Sequence, residues 1–209
     1  AKGLPKLVTQ DDLKGLIHCH TRYSDGLNTV EEMAEAAQAR GYSYIVISDH
    51  SQSAGYANGL KPDRVTKQHE EIDTLNKKLK GIRILKGIES DIRTTGALDY
   101  SDTVLQRFDL VIASVHSKLS MSEDEATERL IAAIEHPCTH ILGHPTGRLL
   151  LSREGYPLNM EKIFDACVAN QVAVEINANC KRLDVDWRHI KHGKEKGVRF
   201  AIGPDAHRI

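Results

Sequence analysis

Aromatic residues are scarce in this chain of 209 residues, 5% in all with a single tryptophan, and no stretch interleaves them with basic side chains as a nucleic-acid groove does. Charge of one sign is not in excess either: 28 lysines and arginines stand against 29 aspartates and glutamates. A broad electrostatic attraction to nucleic acid or anionic membrane is thereby excluded, and any phosphate binding must be local. Charges interrupt every apolar run well before the roughly 18 residues that a membrane-crossing helix needs. No basic segment followed by an apolar one opens the chain, so the expectation is a soluble cytoplasmic protein with no membrane partner. Cys19, Cys138, Cys167 and Cys180 form no CxxC pair and lie too scattered for a disulfide framework or a thiolate zinc site, which leaves reduced, mostly packed thiols. Linkers rich in proline and glycine, internal repeats and low-complexity stretches are missing, and the length fits one domain spanning 1–209.

What is present alternates. Seven short runs read as strands: LKGLIHCH, SYIVISDH, IRILKGIE, LVIASVH, THILGHP, VAVEINAN and RFAIGPDAH, most of them rich in Ile, Val and Leu. Helical segments separate most of them. Thr29 with Glu32 makes a capping box before EEMAEAAQAR, and Gly41 sits where a left-handed C-cap falls. A longer helix follows Pro62 and ends at Gly81. Ser122 with Glu125 repeats the capping box before ATERLIAAIEH, and Asn159 caps MEKIFDACVAN. A final helix covers DWRHIKHGKEK. Alternating strands and helices imply parallel pairing, and seven such units suit an α/β barrel, with a doubly wound open sheet as the alternative.

Each strand also ends in polar residues: His18 and His20, Asp49 and His50, Glu89, His116, His144, Asn177 and Asn179, Asp205 and His207. Loops converge at the C-terminal face of a parallel barrel, so these side chains point toward one site. Strand alternation puts positions i and i+2 on one side, so His18 with His20, and Asp205 with His207, are expected to reach one pocket in pairs. Imidazoles with carboxylates and no thiolate form the donor set of a catalytic Zn, Mn or Fe site rather than a closed structural one. A lone HxH carries little weight; six of the 11 histidines at five strand ends carry much more. The other five read as ordinary residues: His69 solvated within a charged helix, His136 at a helix end, His140 at a strand start, and His189 and His192 on the last helix. Asp49 is expected either to orient a neighbouring ligand or to accept backbone hydrogen bonds.

The combination HCHTRYSDG, ISDHS, GIESDI, ASVHS, GHPTGR and GPDAH resembles the PHP family, named for polymerase and histidinol phosphatase, over nearly the whole chain. Within it the likeness is strongest to the C-terminal PHP domain of bacterial family X DNA polymerases, through LPKLV, GALDY, HPTGRLLLSREGY and NANCKRLDVDW. The resemblance implies a distorted TIM-like (β/α)7 barrel holding three divalent metal ions (Zn, Mn or Fe). His18, His20 and Asp205 would bind the first, and Glu89 would bridge it to the second, completed by His116 and His144. Asp25, His50 and His207 would hold the third. Two departures stand out: Pro204 replaces a small hydroxyl residue and removes an N–H beside Asp205, and Cys180 stands where proline is common.

Such a cluster suits phosphoester hydrolysis, with a hydroxide bridging two metals as nucleophile. Arg148 and Arg182, and more weakly Lys118, are candidates for holding phosphoryl oxygens, since each follows a strand-end motif. No side chain is marked as the leaving-group acid. The function implied by the resemblance is a 3′ to 5′ exonuclease or 3′-end processing phosphoesterase with a DNA 3′ end as substrate and a polymerase domain in cis. Residues 1–13 read as a linker-like lead-in, and the chain as a piece of a larger polymerase. A histidinol-phosphatase-type phosphomonoesterase is the alternative, and a non-catalytic module docking a polymerase a third.

Overall fold

A computed structural model describes residues 6–209. Seven parallel strands, β1 (Gly15–Cys19), β2 (Tyr44–Ile47), β3 (Arg83–Asp91), β4 (Leu110–Ser114), β5 (Ile141–Leu142), β6 (Ala173–Asn177) and β7 (Phe200–Gly203), pair in sequence order as one sheet. Between them run α1 (Val30–Ala39), α2 (Pro62–Lys78), α3 (Asp102–Leu105), α4 (Glu123–Ile134), α5 (Met160–Ala169) and α6 (Trp187–Lys196). The sheet curls until its first and last strands meet. At the seam His20 N–H donates to the Ala206 carbonyl at 2.8 Å and Ala206 N–H to the His18 carbonyl at 3.1 Å, so these few bonds rather than a full ladder close the barrel. The result is a distorted (β/α)7 barrel and not an open doubly wound sheet.

Local chemistry sets these boundaries. Thr29 and Ser122 each accept from the backbone N–H three residues on, while Glu32 and Glu125 reach back to the cap N–H, which completes both capping boxes. Gly41 and Gly81 adopt φ of +84° and +82° where α1 and α2 stop, a region that costs an L side chain but not glycine. Asn159 and Asp186 cap α5 and α6. The buried face of α2 is Val65, Gln68, His69, Ile72 and Leu75, a spacing of three and four that lays the helix against β3. His69 therefore lies inside that face, 6% exposed and edge-on to Phe108, and not in solvent as the charged sequence around it suggests. Residues 1–5 of the expected lead-in, including part of LPKLV, fall outside the described residues. Its later part makes a 3-10 turn, Gln10–Asp12, and Gln10 hydrogen-bonds the Tyr42 hydroxyl.

β3 is the longest strand and is shared: Arg83–Lys86 pair with β2 and Gly87–Asp91 with β4. That offset carries Glu89 to the barrel's C-terminal mouth, beside His50. The β6–β7 ladder ends at Gly203, so the N–H that Pro204 lacks falls beyond it. No helix among the described residues is long and apolar enough to cross a membrane.

Candidate metal centre

Nine side chains converge at the mouth, around Glu89. Its carboxylate is buried, with Oε1 at 2.8 Å from His144 Nε2, 3.1 Å from His116 Nε2 and 3.2 Å from His18 Nε2. Oε2 lies 3.0 Å from His50 Nδ1 and 3.6 Å from His20 Nε2. Asp205 Oδ1 stands 3.3 Å from His20 Nε2 and 3.6 Å from His18 Nε2. Asp25 faces His207 at 3.4 Å, His50 at 3.6 Å and His20 at 3.7 Å. These donors fall into four overlapping groups able to hold an ion: His18, His20 and Asp205; His18, Glu89 and His144; His50, Glu89 and His116; and His20, Asp25, His50 and His207.

Regular strand alternation does not produce this convergence. His18 adopts φ of +62° and the β1–β2 register shifts between Leu16 and Cys19, so a bulge, and not the i to i+2 repeat, turns His18 and His20 into one pocket. β7 stops at Gly203, and Asp205 lies beyond it at φ of +50°, so Asp205 and His207 are likewise loop residues. His144 is at +21°. Left-handed backbone at a non-glycine residue costs about 1–3 kcal/mol and persists where surroundings over-determine it.

The supports are visible. Asp49 accepts from Thr21 N–H at 2.7 Å, from the Thr21 and Ser24 hydroxyls at 2.7 and 2.5 Å, and from Gln68 at 2.6 Å, which fixes the turn carrying Asp25. Gly26 closes that turn, since a Cβ there would stand 2.5 Å from the His20 carbonyl carbon. Two carboxylates that strand-end reasoning passes over act on the imidazoles directly. Glu175, inside β6, faces His18 Nδ1 at 2.5 Å and accepts His144 N–H at 2.7 Å. Gly203 makes room for it, because a Cβ would sit 2.4 Å from its Oε1. Asp91, two residues past Glu89 and on the same strand face, hydrogen-bonds His116 Nδ1. Both leave the opposite nitrogen, Nε2, turned toward Glu89.

Burial alone would raise the pKa of Glu89 and Asp205; the imidazoles outweigh it, chiefly His116 for Glu89 and His18 for Asp205, and hold both well below the carboxylate range. Burial lowers the His116 pKa, and Glu89 and Asp91 more than reverse this, raising it to about 9. His20, with burial dominant, is lowered. Several buried polar atoms lack any hydrogen-bond partner among the described residues: His18 Nε2, both nitrogens of His20, His50 Nδ1, His144 Nδ1 and Glu89 Oε2. Orphaned buried polar atoms of this kind are rare in native proteins. Lone-pair atoms left bare around ionised carboxylates fit divalent cations.

The other predicted residues are dispersed. Arg182 Nε lies 3.2 Å from Asp205 Oδ2, at the cluster's edge. Arg148 instead binds Asp186 Oδ2 at 2.7 Å and the Arg182 and Leu183 carbonyls, bracing that loop. Lys118, two residues past His116, is exposed and lines a lateral cleft of about 560 Å³ with Thr94, Ser120 and Arg129. His140 Nδ1 accepts from Val111 N–H at 3.2 Å, a structural bond, and His192 meets Glu161 at 2.5 Å on the surface.

The PHP domain family matches residues 17–179. The chain is 42% identical to the DNA polymerase/3′-5′ exonuclease PolX of Bacillus subtilis (strain 168) over 98% of its own length, which is 36% of that protein. It thus spans about a third of that relative. It is 31% identical to a protein of Thermoanaerobacter sp. (strain X514) named a probable phosphatase, covering 91% of this chain and 77% of that one. Among solved structures, histidinol phosphate phosphatase from Lactococcus lactis, complexed with zinc, L-histidinol and phosphate, superposes with a TM-score of 0.64 at 19% identity, covering 93% of this chain and 86% of that one.

Proposed function

We propose that this chain, which belongs to the PHP domain family and is a metal-dependent phosphoesterase, hydrolyses DNA 3′ ends beside a polymerase domain in its parent protein. The observation that carries the DNA reading is the 42% identity, maintained across 98% of this chain, with a polymerase that is also a 3′-5′ exonuclease. A polymerase domain would also supply the nucleic-acid affinity that a near-neutral chain lacks.

In this reading His18, His20 and Asp205 hold one ion, Glu89 links it to a second held with His116 and His144, and Asp25, His50 and His207 hold a third. Nitrogen and oxygen donors without thiolate suit zinc, manganese or iron. When bound, such ions supply Lewis acidity and activated water at neutral pH. The chain's own groups do the rest. Glu175 and Asp91 keep the imidazole Nε2 atoms of His18 and His116 turned inward, so ligands are set before substrate arrives. Arg182, ion-paired through Nε with Asp205, makes no side-chain hydrogen bond among the described residues and is free to grip a phosphoryl oxygen. Lys118 faces the cleft beside α4 and has no part in that grip. Arg148 is left out of that grip, because Asp186 and two carbonyls occupy its guanidinium.

The second reading is a phosphomonoesterase of a small alcohol phosphate, favoured by the relative named as a phosphatase, of which this chain spans 77%. One comparison separates the two: a 3′-hydroxyl DNA strand, a 3′-phosphorylated strand and histidinol phosphate, each with Mn²⁺ added. A ladder of shortened DNA is the expected product. Turnover of histidinol phosphate alone would establish the second reading instead.

A further inference from the structure

Tyr56 stands at the edge of the ligand cluster with no part in the chemistry above. It lies in the 3-10 turn Gly55–Ala57, between β2 and α2. Its ring centroid is 5.9 Å from that of His50 and 6.3 Å from that of His116, inclined to them by 62° and 61°. The residue is nevertheless 71% exposed, and its hydroxyl makes no hydrogen bond among the described residues. Isolated exposed aromatics are ordinary on protein surfaces. This one is held against the site by a pinned loop. Asp99 accepts from the Ser51 hydroxyl at 2.8 Å and from Ser53 N–H at 2.6 Å, and the Ser53 hydroxyl donates at 2.9 Å to Asp91, the same carboxylate that orients His116. Gly59 lets the turn close, since a Cβ there would lie 1.9 Å from the Ser51 carbonyl oxygen. An exposed ring on a pinned loop therefore borders the ligands.

We infer that Tyr56 is a stacking platform for a nucleobase adjoining the scissile phosphate, a base subsite indifferent to sequence; this rests on the DNA reading above. A phosphate gripped among the imidazoles leaves its base one sugar's length away, comparable with the separation of Tyr56 from the nearest ligand rings. Every base offers a π-face, so one aromatic surface serves all four. A single platform beside the metals also needs no aromatic stripe along the chain, which is what the composition shows. Histidinol phosphate also carries an aromatic ring, its imidazole, so the base subsite is tested on DNA strands with and without bases rather than by the small phosphate.

The test uses two single-stranded oligonucleotides, one ordinary and one with abasic tetrahydrofuran residues at its last two 3′ positions, with Mn²⁺ added. For the wild type, KM is expected to be about 5- to 150-fold higher on the abasic strand, the range that loss of one stacked base represents. Tyr56→Ala should raise KM on the ordinary strand by a similar factor, leave KM on the abasic strand unchanged, and keep kcat within about twofold. Tyr56→Phe and Tyr56→Trp should restore the wild-type KM. Equal KM of the wild type on both strands, or an unaltered Tyr56→Ala, overturns the subsite while the DNA reading stands. A loss in Tyr56→Phe equal to that in Tyr56→Ala overturns stacking in favour of the hydroxyl. A wild type that shortens neither strand but hydrolyses histidinol phosphate overturns the DNA reading and the subsite together.

Discussion

Glu89 is the single side chain whose loss should cost most. It is buried, and five imidazoles lie within 3.6 Å of its two oxygens. Glu89→Gln removes the negative charge and replaces one acceptor with an N–H donor facing imidazole nitrogens. The variant should lose metal content in two of the proposed sets and at least about 100-fold in turnover; unchanged turnover would refute the bridging role. Glu175 acts at one remove. Glu175→Gln keeps the volume but weakens the hold on His18 and His144, so metal affinity in a competition titration should fall about 10- to 100-fold while the protein stays folded. Affinity equal to the wild type would show Glu175 to be packing only. Eight of the nine candidate ligands are legible as polar residues at the ends of apolar runs, whereas Asp25, on the loop beyond β1, enters only through the family resemblance. Glu175 is not legible, because a glutamate in the middle of VAVEIN reads as the solvent face of an alternating strand; its signal is its place two residues before Asn177, on the same face.

At the level of elements, periodicity and capping chemistry located all seven strands and the five longer helices, because hydrophobic spacing and cap residues are local properties. α3 has four residues, fewer than a period can mark, and β5 shrinks to Ile141–Leu142 because His144 needs its irregular backbone soon after. The bulge at His18 was also invisible, since nothing in GLIHCH announces a positive φ. The charged residues around His69 suggest a solvated side chain, whereas its spacing from Val65 and Ile72 puts it on the apolar face. Burial, with help from the charges of Lys86 and Arg107 and against Asp73 and Asp109, lowers its pKa to about 4. An unfolded chain binds that proton near pH 6.5, so the unfolded state holds more protons between the two values. The neutral imidazole's contribution is complete above about pH 6.5 and is lost as pH falls to about 4. His69→Leu should therefore gain stability relative to wild type at pH 5 compared with pH 7.5, measured by denaturant unfolding of both proteins. A pH-independent difference would contradict the assignment.

For the whole molecule, the barrel closes through few bonds. β1 and β7 share a few backbone bonds around Cys19 and Ala206, and the proposed first metal set spans that seam, with His18 and His20 on one side and Asp205 on the other. Metal binding is then also a clasp. An ion present at about 100 times its dissociation constant adds about 2.7 kcal/mol, so stripping the protein with a chelator should lower Tm by roughly 5–10 °C. An unchanged Tm would mean that the seam holds without it. The central claim is that nine side chains from six strands and their loops make a centre for three ions. Metal analysis of catalytically active protein tests it most directly: three divalent ions per chain are predicted, and fewer than two in a fully active preparation would contradict it.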